Sequence, residues 1–323
     1  MPFISVVIPC YNSKEYILRS LNALEQQTYK DFEVIVVDDC STDGTYEFLN
    51  KIKETMCVPM KIDKTQKNSG PALARSLGIN VAQGTYVAFC DSDDWYDRCY
   101  LEKMVEALSV DTDMVFCGHK IVLASGTVIS ETHFPKDVLE NCTDKKHVLT
   151  LDVDSLCSIV VRRTIVLKTP HTTLRNGEDM AIIPLMIMKS EKFAFVEECM
   201  YNYLCRPGSL SMSANEAVVN SLKLSFEHIL RNKVLGYDEE IEYIGIRNVL
   251  YGALLNYFKY AKKKNSANRI LDDFERNYPH WYRNKYISKM KKSKRVFLMF
   301  ARKRAFYMLR VLALIHKKIT EKD

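Results

Sequence analysis

The first 117 residues alternate short apolar runs with stretches of helical spacing, and few folds accommodate that order. Phe3–Pro9 and Phe32–Val37 are runs of β-formers with almost no polar interruption, as expected of strands covered on both faces. Between them, Ile17, Leu21 and Leu24 mark an amphipathic helix within Ser13–Gln27. Further along, the pattern predicts a helix capped by Thr42-Asp43 and running to Ile52, and a short strand at Met60–Ile62. A helix over Ala72–Val81 opened by Gly70-Pro71 follows, then a strand at Tyr86–Cys90, a helix from about Arg98 to Leu108 and a strand at Met114–Cys117. Such alternation predicts an α/β fold with a mostly parallel sheet and flanking helices, whose ligands bind beyond the carboxyl ends of the strands.

The chemistry in the sequence collects at those ends. Tyr86–Cys90 runs into Asp91-Ser92-Asp93-Asp94, and carboxylates so placed stay buried only if something pairs them. A hard cation, Mn²⁺ or Mg²⁺, suits oxygen ligands at a strand end, while the plainer alternative makes Asp93 or Asp94 the cap of the next helix. The topology brings Pro9-Cys10-Tyr11-Asn12, Asp38-Asp39-Cys40-Ser41 and Asn68-Ser69-Gly70 with Arg75 to the same edge. Each fragment suits part of a nucleoside diphosphate: Tyr11 offers a ring face for a base, Asp39 an acceptor for a base N–H, and Arg75 a donor fork. Taken singly, Tyr11 reads as a surface aromatic, Asp38 and Asp39 as helix caps, and Arg75 as a solvated helix residue. Neither GxxxxGK[ST] nor GxGxxG occurs.

SVVIPCYN at 5–12, EVIVVDDCSTDGT at 33–45, NSGPALARSLGI at 68–79 and GTYVAFCDSDDW at 84–95 together resemble the nucleotide-binding half of family 2 glycosyltransferases. The resemblance implies the GT-A, Rossmann-like fold and a UDP-sugar donor. By the same likeness, Pro9, Tyr11, Asp39, Asn68 and Arg75 lie around the uridine, Asp91, Ser92 and Asp93 around ribose and metal, and Asp93 is the metal ligand. Cys40 departs from the family, which usually has Gly or Asn there. Gly177-Glu178-Asp179 ahead of the apolar run Met180–Met188 looks like the family's ED motif, which makes Asp179 the catalytic base. Dipole-favoured acids in a first helical turn are the bland alternative. Tyr201–Ser211 resembles a following segment that holds the diphosphate, with Arg206 and Ser211 as candidates. No His lies between His171 and His228, so Arg206 and the metal neutralise the leaving phosphate.

The expected organisation is a nucleotide-sugar half at 1–118, an acceptor half at 119–214 with a hairpin in Ile121–Ile129, and a helical region at 215–323. Residues 276–323 carry a net +13 and the preceding residues −7, within a whole-chain charge of +6. An acidic body speaks against nucleic acid as a partner. In the tail, Leu298, Ala301, Ala305, Met308, Leu312, Ile315 and Ile319 repeat at 3,4 spacing among Lys and Arg. The preferred reading is an interfacial helix on an anionic membrane, ahead of an oligomerisation seam that would make a homo-oligomer, and ahead of RNA binding. Ten scattered cysteines without a CxxC pair, no leader and no apolar span point to the cytoplasm, at the inner face of the membrane.

These features lead to an inverting, metal-dependent transfer of a sugar from a UDP-sugar to a hydroxyl of a saccharide or lipid-linked acceptor of the cell envelope. The contrasting reading is a catalytically inactive nucleotide-sugar-binding scaffold.

Overall fold

The computed structural model describes residues 1–141, 144–206, 216–260 and 265–320. The chain forms two compact units, Met1–Val148 with Val153–Pro207, and Leu149–Asp152 with Gly208–Asp323.

In the first unit the elements are β1 (Ile4–Cys10), α1 (Ile17–Glu25), β2 (Phe32–Asp38), α2 (Thr45–Lys53), β3 (Met60–Lys64), α3 (Pro71–Val81) and β4 (Tyr86–Phe89). There follow β5 (Trp95–Tyr96), α4 (Tyr100–Glu106), β6 (Met114–Leu123), β7 (Val128–Thr132), α5 (Lys136–Asn141), α6 (Lys145–Thr150), β8 (Ile159–Arg162), α7 (Arg163–Lys168), α8 (Glu178–Lys189) and β9 (Phe193–Cys205). They build one sheet of order β3-β2-β1-β4-β8-β6-β9-β5, with β7 on β6. β1 and β2 are buried along their whole length and pair in parallel, as their unbroken apolar runs require. β3 extends this side, and α3 carries the chain back across β1 so that β4 adds in parallel to its other edge. Strand order therefore reverses between β1 and β4, which opens a crevice at their carboxyl ends.

Beyond β4 the sheet is mixed. β8 is antiparallel to β4 and to β6, and the 13-residue β9 runs parallel to β6. The hairpin expected around Ser125-Gly126 is present as β6–β7. β5, only two residues long, pairs Trp95 with Asn202 and Tyr96 with Tyr201, and so lays the segment after Asp94 along β9. Several helix starts move from their expected places. α2 begins at Thr45 after Gly44, with Asp43 accepting the Thr45 N–H, and α4 begins at Tyr100. Asp38, Asp39, Asp93 and Asp94 cap no helix.

α3 lies close on the sheet because Gly78 has no side chain. A Cβ there would sit 2.5 Å from Val7 Cγ1 and 3.3 Å from Val37 Cγ2.

The second unit holds α9 (Glu216–Asn232), α10 (Asp238–Gly245), a π-helical stretch (Ile246–Ala253), α11 (Leu254–Tyr260), α12 (Asn265–Asn277), α13 (Lys292–Arg302) and α14 (Phe306–Thr320). Of the apolar residues whose helical spacing predicts a core, Leu222, Phe226 and Ile229 of α9 and Ile244, Val249, Leu255 and Phe258 of the next segments are buried, whereas Val218 and Tyr251 are only half-buried. The tail stripe is not one seam. Arg304 takes a left-handed φ of 52° and its guanidinium pairs with Asp272 and Glu275, which ends α13 and resets the helical phase. α13 buries Leu298 and Ala301, whereas α14 buries Leu309 and Ala313 and leaves Met308 and Ile315 exposed. Among the described residues no helix is long and apolar enough to cross a membrane, and the described cysteines are all free.

Gly78→Ala should destabilise the first unit by about 1–3 kcal/mol through overpacking of α3 on β1 and β2, measured by urea unfolding.

Candidate active site

At the crevice the ends of β1 and β2 are stitched by backbone geometry that few residues adopt. Asn12 and Cys40 both hold positive φ, 49° and 62°. The Asn12 N–H donates to Ser41 Oγ at 2.9 Å and the Asn12 carbonyl oxygen Oδ1 accepts the Thr42 N–H at 2.8 Å. The left-handed φ at Cys40 is one that Gly and Asn adopt more readily than Cys, which accords with the family resemblance expecting one of those residues there. Tyr11 projects beside this turn and is 44% exposed, while Pro9 lies within β1 opposite Val37. Asp39 is buried, and both its oxygens are engaged: Thr65 Oγ1 donates at 2.7 Å, the Ser69 N–H at 2.9 Å and the Gly70 N–H at 2.6 Å. It shapes the loop that precedes α3, and Asn68 in that loop accepts at its backbone oxygen from Arg175 Nη2 at 2.7 Å.

Arg75 is not a solvated helix residue. Only 5% exposed, it reaches from α3 with Nη2 2.5 Å from Asp91 Oδ1 and Nη1 paired to Glu178 Oε1. Asp179 Oδ1 lies 4.0 Å from the same Nη1. This carboxylate sits in the first turn of α8, accepts the Leu156 N–H at 3.4 Å on Oδ2, and has no hydrogen-bond partner for Oδ1, which is buried. Burial, followed by the neighbouring Glu178, pushes Asp179 well above the usual carboxylate range, against the pull of Arg75. The helix N-terminus alone favours the ionised form. In the folded chain desolvation outweighs it.

The DSDD segment distributes its four side chains to different partners. Ser92 Oγ lies 2.7 Å from Ser13 Oγ. Asp93 Oδ2 receives both Nε and Nη2 of Arg206, at 2.8 and 2.7 Å, and burial followed by Asp91 raises its pKa while Arg206 opposes. Arg206 also stacks its guanidinium over Tyr16, 4.5 Å from the ring centre. Asp94 is buried: it accepts from Tyr201 Oη and from the Leu204 N–H at 2.7 Å, and burial followed by Asp91 holds it well above the usual range. Tyr201 Oη in turn accepts the Asp91 N–H at 3.4 Å. β9 is thereby joined to the end of β4.

The fold thus gathers Arg75, Asp91 and Asp179 in one ion cluster and Asp93 with Arg206 in another, both at the edge where Ser92, Asn68, Asp39 and Tyr11 lie. Ser211 falls outside the described residues. The sequence reading gave Asp94 only a helix-cap role, Glu178 only that of an acid in a first helical turn, and Tyr201 no role of its own; the third acid of DSDD and the Tyr-x-Tyr pattern of β9 were the available signals. The donor set fits Mn²⁺ or Mg²⁺. Asp91 and Asp93 are hard carboxylates, each pairing one oxygen with an arginine, so that a second oxygen lies outside each pair.

Comparison with known proteins agrees with this geometry. The family model for Glycosyl transferase family 2 matches residues 5–159. The putative teichuronic acid biosynthesis glycosyltransferase TuaG of Bacillus subtilis is 28% identical over 212 residues, which cover 65% of this chain and 82% of TuaG. The poly(ribitol-phosphate) beta-glucosyltransferase of Bacillus spizizenii is 28% identical over 290 residues, 88% of this chain but only 44% of that relative. Among solved structures, Staphylococcus aureus TarS 1-349 superposes with a TM-score of 0.68 at 19% identity, covering 100% of this chain and 92% of that one. Its complex with UDP-GlcNAc gives 0.65 at 21% identity, covering 98% and 92%. With its crevice and its strand-end carboxylates the chain has the GT-A fold, and residues 5–159 make it similar to the enzymes of glycosyl transferase family 2.

Proposed function

We propose that this glycosyltransferase is inverting and metal-dependent, and that it moves a sugar from a UDP-sugar to a hydroxyl of a cell-envelope polysaccharide or a lipid-linked oligosaccharide. The observation that carries the chemistry is Asp179 Oδ1, a buried carboxylate oxygen with no hydrogen-bond partner, next to the guanidinium that binds Asp91. The names of TuaG and of the poly(ribitol-phosphate) glucosyltransferase support the acceptor class, and the UDP-GlcNAc complex of TarS supports the donor class.

In this reading Asp179 takes the proton of the acceptor hydroxyl as that oxygen attacks the anomeric carbon. The bond from that carbon to the UDP oxygen breaks, and the configuration inverts. A carboxylate whose pKa is raised is a stronger base once ionised, so burial serves the step. Arg206, here forked onto Asp93, is the cation available to the diphosphate, with Ser211 following it in the chain. Tyr11 offers the uracil a ring face, Pro9, Asn68 and Arg75 line the uridine, and Asp39 meets the base by exchanging one of its loop bonds. Asp93, with Asp91 and Ser92 beside it, would hold a divalent ion, and that ion would supply further positive charge to the leaving group.

The tail fits attachment to the inner face of an anionic membrane. On α14 an exposed apolar stripe of Tyr307, Leu314 and Ile315 lies opposite the buried Leu309 and Ala313, with exposed Arg310 and Lys318 on the same helix. Such a face suits the boundary between headgroups and acyl chains. Replacing Tyr307, Leu314 and Ile315 together by Ser should reduce co-sedimentation with anionic vesicles while leaving small-acceptor turnover intact. If the triple variant instead binds vesicles normally and changes its oligomeric mass, the stripe is an association seam.

UDP release with candidate donors in Mn²⁺ against EDTA tests the reaction, and retained UDP binding without turnover on any donor would leave the scaffold reading. Asp93→Ala should lose Mn²⁺-supported UDP binding in calorimetry. Asp179→Asn should keep that binding and lose transfer by about 10²–10⁴-fold; near-full transfer would shift the base to Glu178. The same variant has a thermodynamic signature. An acid with a raised folded pKa contributes stability that is complete below its unfolded value of about 3.9 and is lost as pH rises through the folded value. Unfolding curves should therefore show Asp179→Asn gaining on the native chain as pH increases from about 4 to neutrality.

A further inference from the structure

Away from the crevice, where the hairpin meets β9, three side chains of different metal-binding type converge. Glu131 is the next-to-last residue of β7, His133 follows the strand's end, and Cys199 lies on β9; a carboxylate oxygen, an imidazole nitrogen and the thiol all fall within 4.8 Å of one another. His133 Nε2 is 3.0 Å from Glu131 Oε2 and 3.5 Å from Cys199 Sγ, which also lies 3.2 Å from the Thr132 carbonyl oxygen. Tetrahedral zinc, with bonds of about 2.0–2.3 Å, needs its ligand atoms roughly 3.3–3.7 Å apart, so little movement separates this cluster from a coordinating one.

The backbone around the cluster is arranged to deliver the thiol. The β6–β9 register shifts on both sides of Gly118, which pairs with Cys199. A Cβ at Gly118 would lie 2.6 Å from Cys199 Sγ and 2.3 Å from the Thr132 oxygen, so the space the sulfur occupies exists only because residue 118 is glycine. On the other side Phe134 packs on Phe195 at 5.0 Å and on Phe116 at 6.2 Å, which fixes the chain next to His133. The thiol is buried while Glu131 and His133 are exposed, leaving solvent access for a fourth ligand. Thiolate with imidazole selects a borderline-soft ion over Mg²⁺ or Mn²⁺, the reverse of the all-carboxylate set at Asp91 and Asp93.

We propose that Glu131, His133 and Cys199 form a zinc site, with water in the fourth position, that clips the end of the β6–β7 hairpin to β9. The strand it anchors is the one that carries Tyr201 and Leu204 to Asp94, two and five residues further on. The site is independent of the donor chemistry.

Titration of the reduced, chelator-stripped full chain with Co²⁺ tests it, because only a thiolate ligand gives a near-ultraviolet charge-transfer band. The expected result is a band that saturates at one equivalent, is displaced by Zn²⁺, and disappears in Cys199→Ser. His133→Ala, a surface substitution, should weaken Zn²⁺ binding by more than the about 10–100-fold that loss of an outer-shell partner costs, with Mn²⁺-supported UDP binding unchanged. Absence of the band in the native chain overturns the proposal. So does a band equally strong in both variants, which would place the metal on other thiols.

Discussion

A single buried guanidinium holds the two ends of the candidate site together. Arg75 leaves α3, passes under the end of β4 and spans Asp91 and Glu178, with Asp179 beyond, so that one positive charge faces three carboxylates. Two of these acids are neighbours at the start of α8, about a hundred residues from the arginine in sequence. Burying such charges is costly unless geometry and hydrogen bonds compensate, and breaking the set by removing one member costs more than it would ever have gained. The cluster is thus weak evidence for stability and stronger evidence for position: it sets where α8 begins relative to the strand ends.

The second constraint is β9. Its pairing with the two-residue β5 and the bonds from Tyr201 and Leu204 to Asp94 bring the segment after the DSDD turn against the strand that ends at Arg206. Arg206 then returns to Asp93. The acidic turn is consequently gripped from two sides, by Arg75 on Asp91 and by Arg206 on Asp93, so that arginines and carboxylates share a small volume at the strand ends.

The parts that could be read from sequence were those set by local pattern. Unbroken apolar runs gave β1 and β2, the Ser125-Gly126 turn gave the hairpin, and Gly177-Glu178-Asp179 before an apolar run gave the start of α8. What escaped depended on partners distant in the chain. Asp94 looks like a helix cap until Tyr201 covers it, and Arg75 looks solvated until Glu178 reaches it. The tail stripe failed for a different reason: periodicity carries no information about the left-handed turn at Arg304, after which α14 presents another face inward. Glu131, His133 and Cys199 are unremarkable by spacing, since only a shifted strand register brings the thiol to the hairpin.

The central claim, that Arg75 organises the site by charge, is tested most directly by the pH dependence of unfolding in Arg75→Met, which keeps the volume and removes the cation. With three carboxylates left uncompensated, the variant should lose about 3–5 kcal/mol near neutral pH. The loss should shrink as pH falls and those acids take up protons. A loss below about 1 kcal/mol that does not change with pH would contradict the account, because it would mean that packing alone, and not the ion cluster, sets the position of α8.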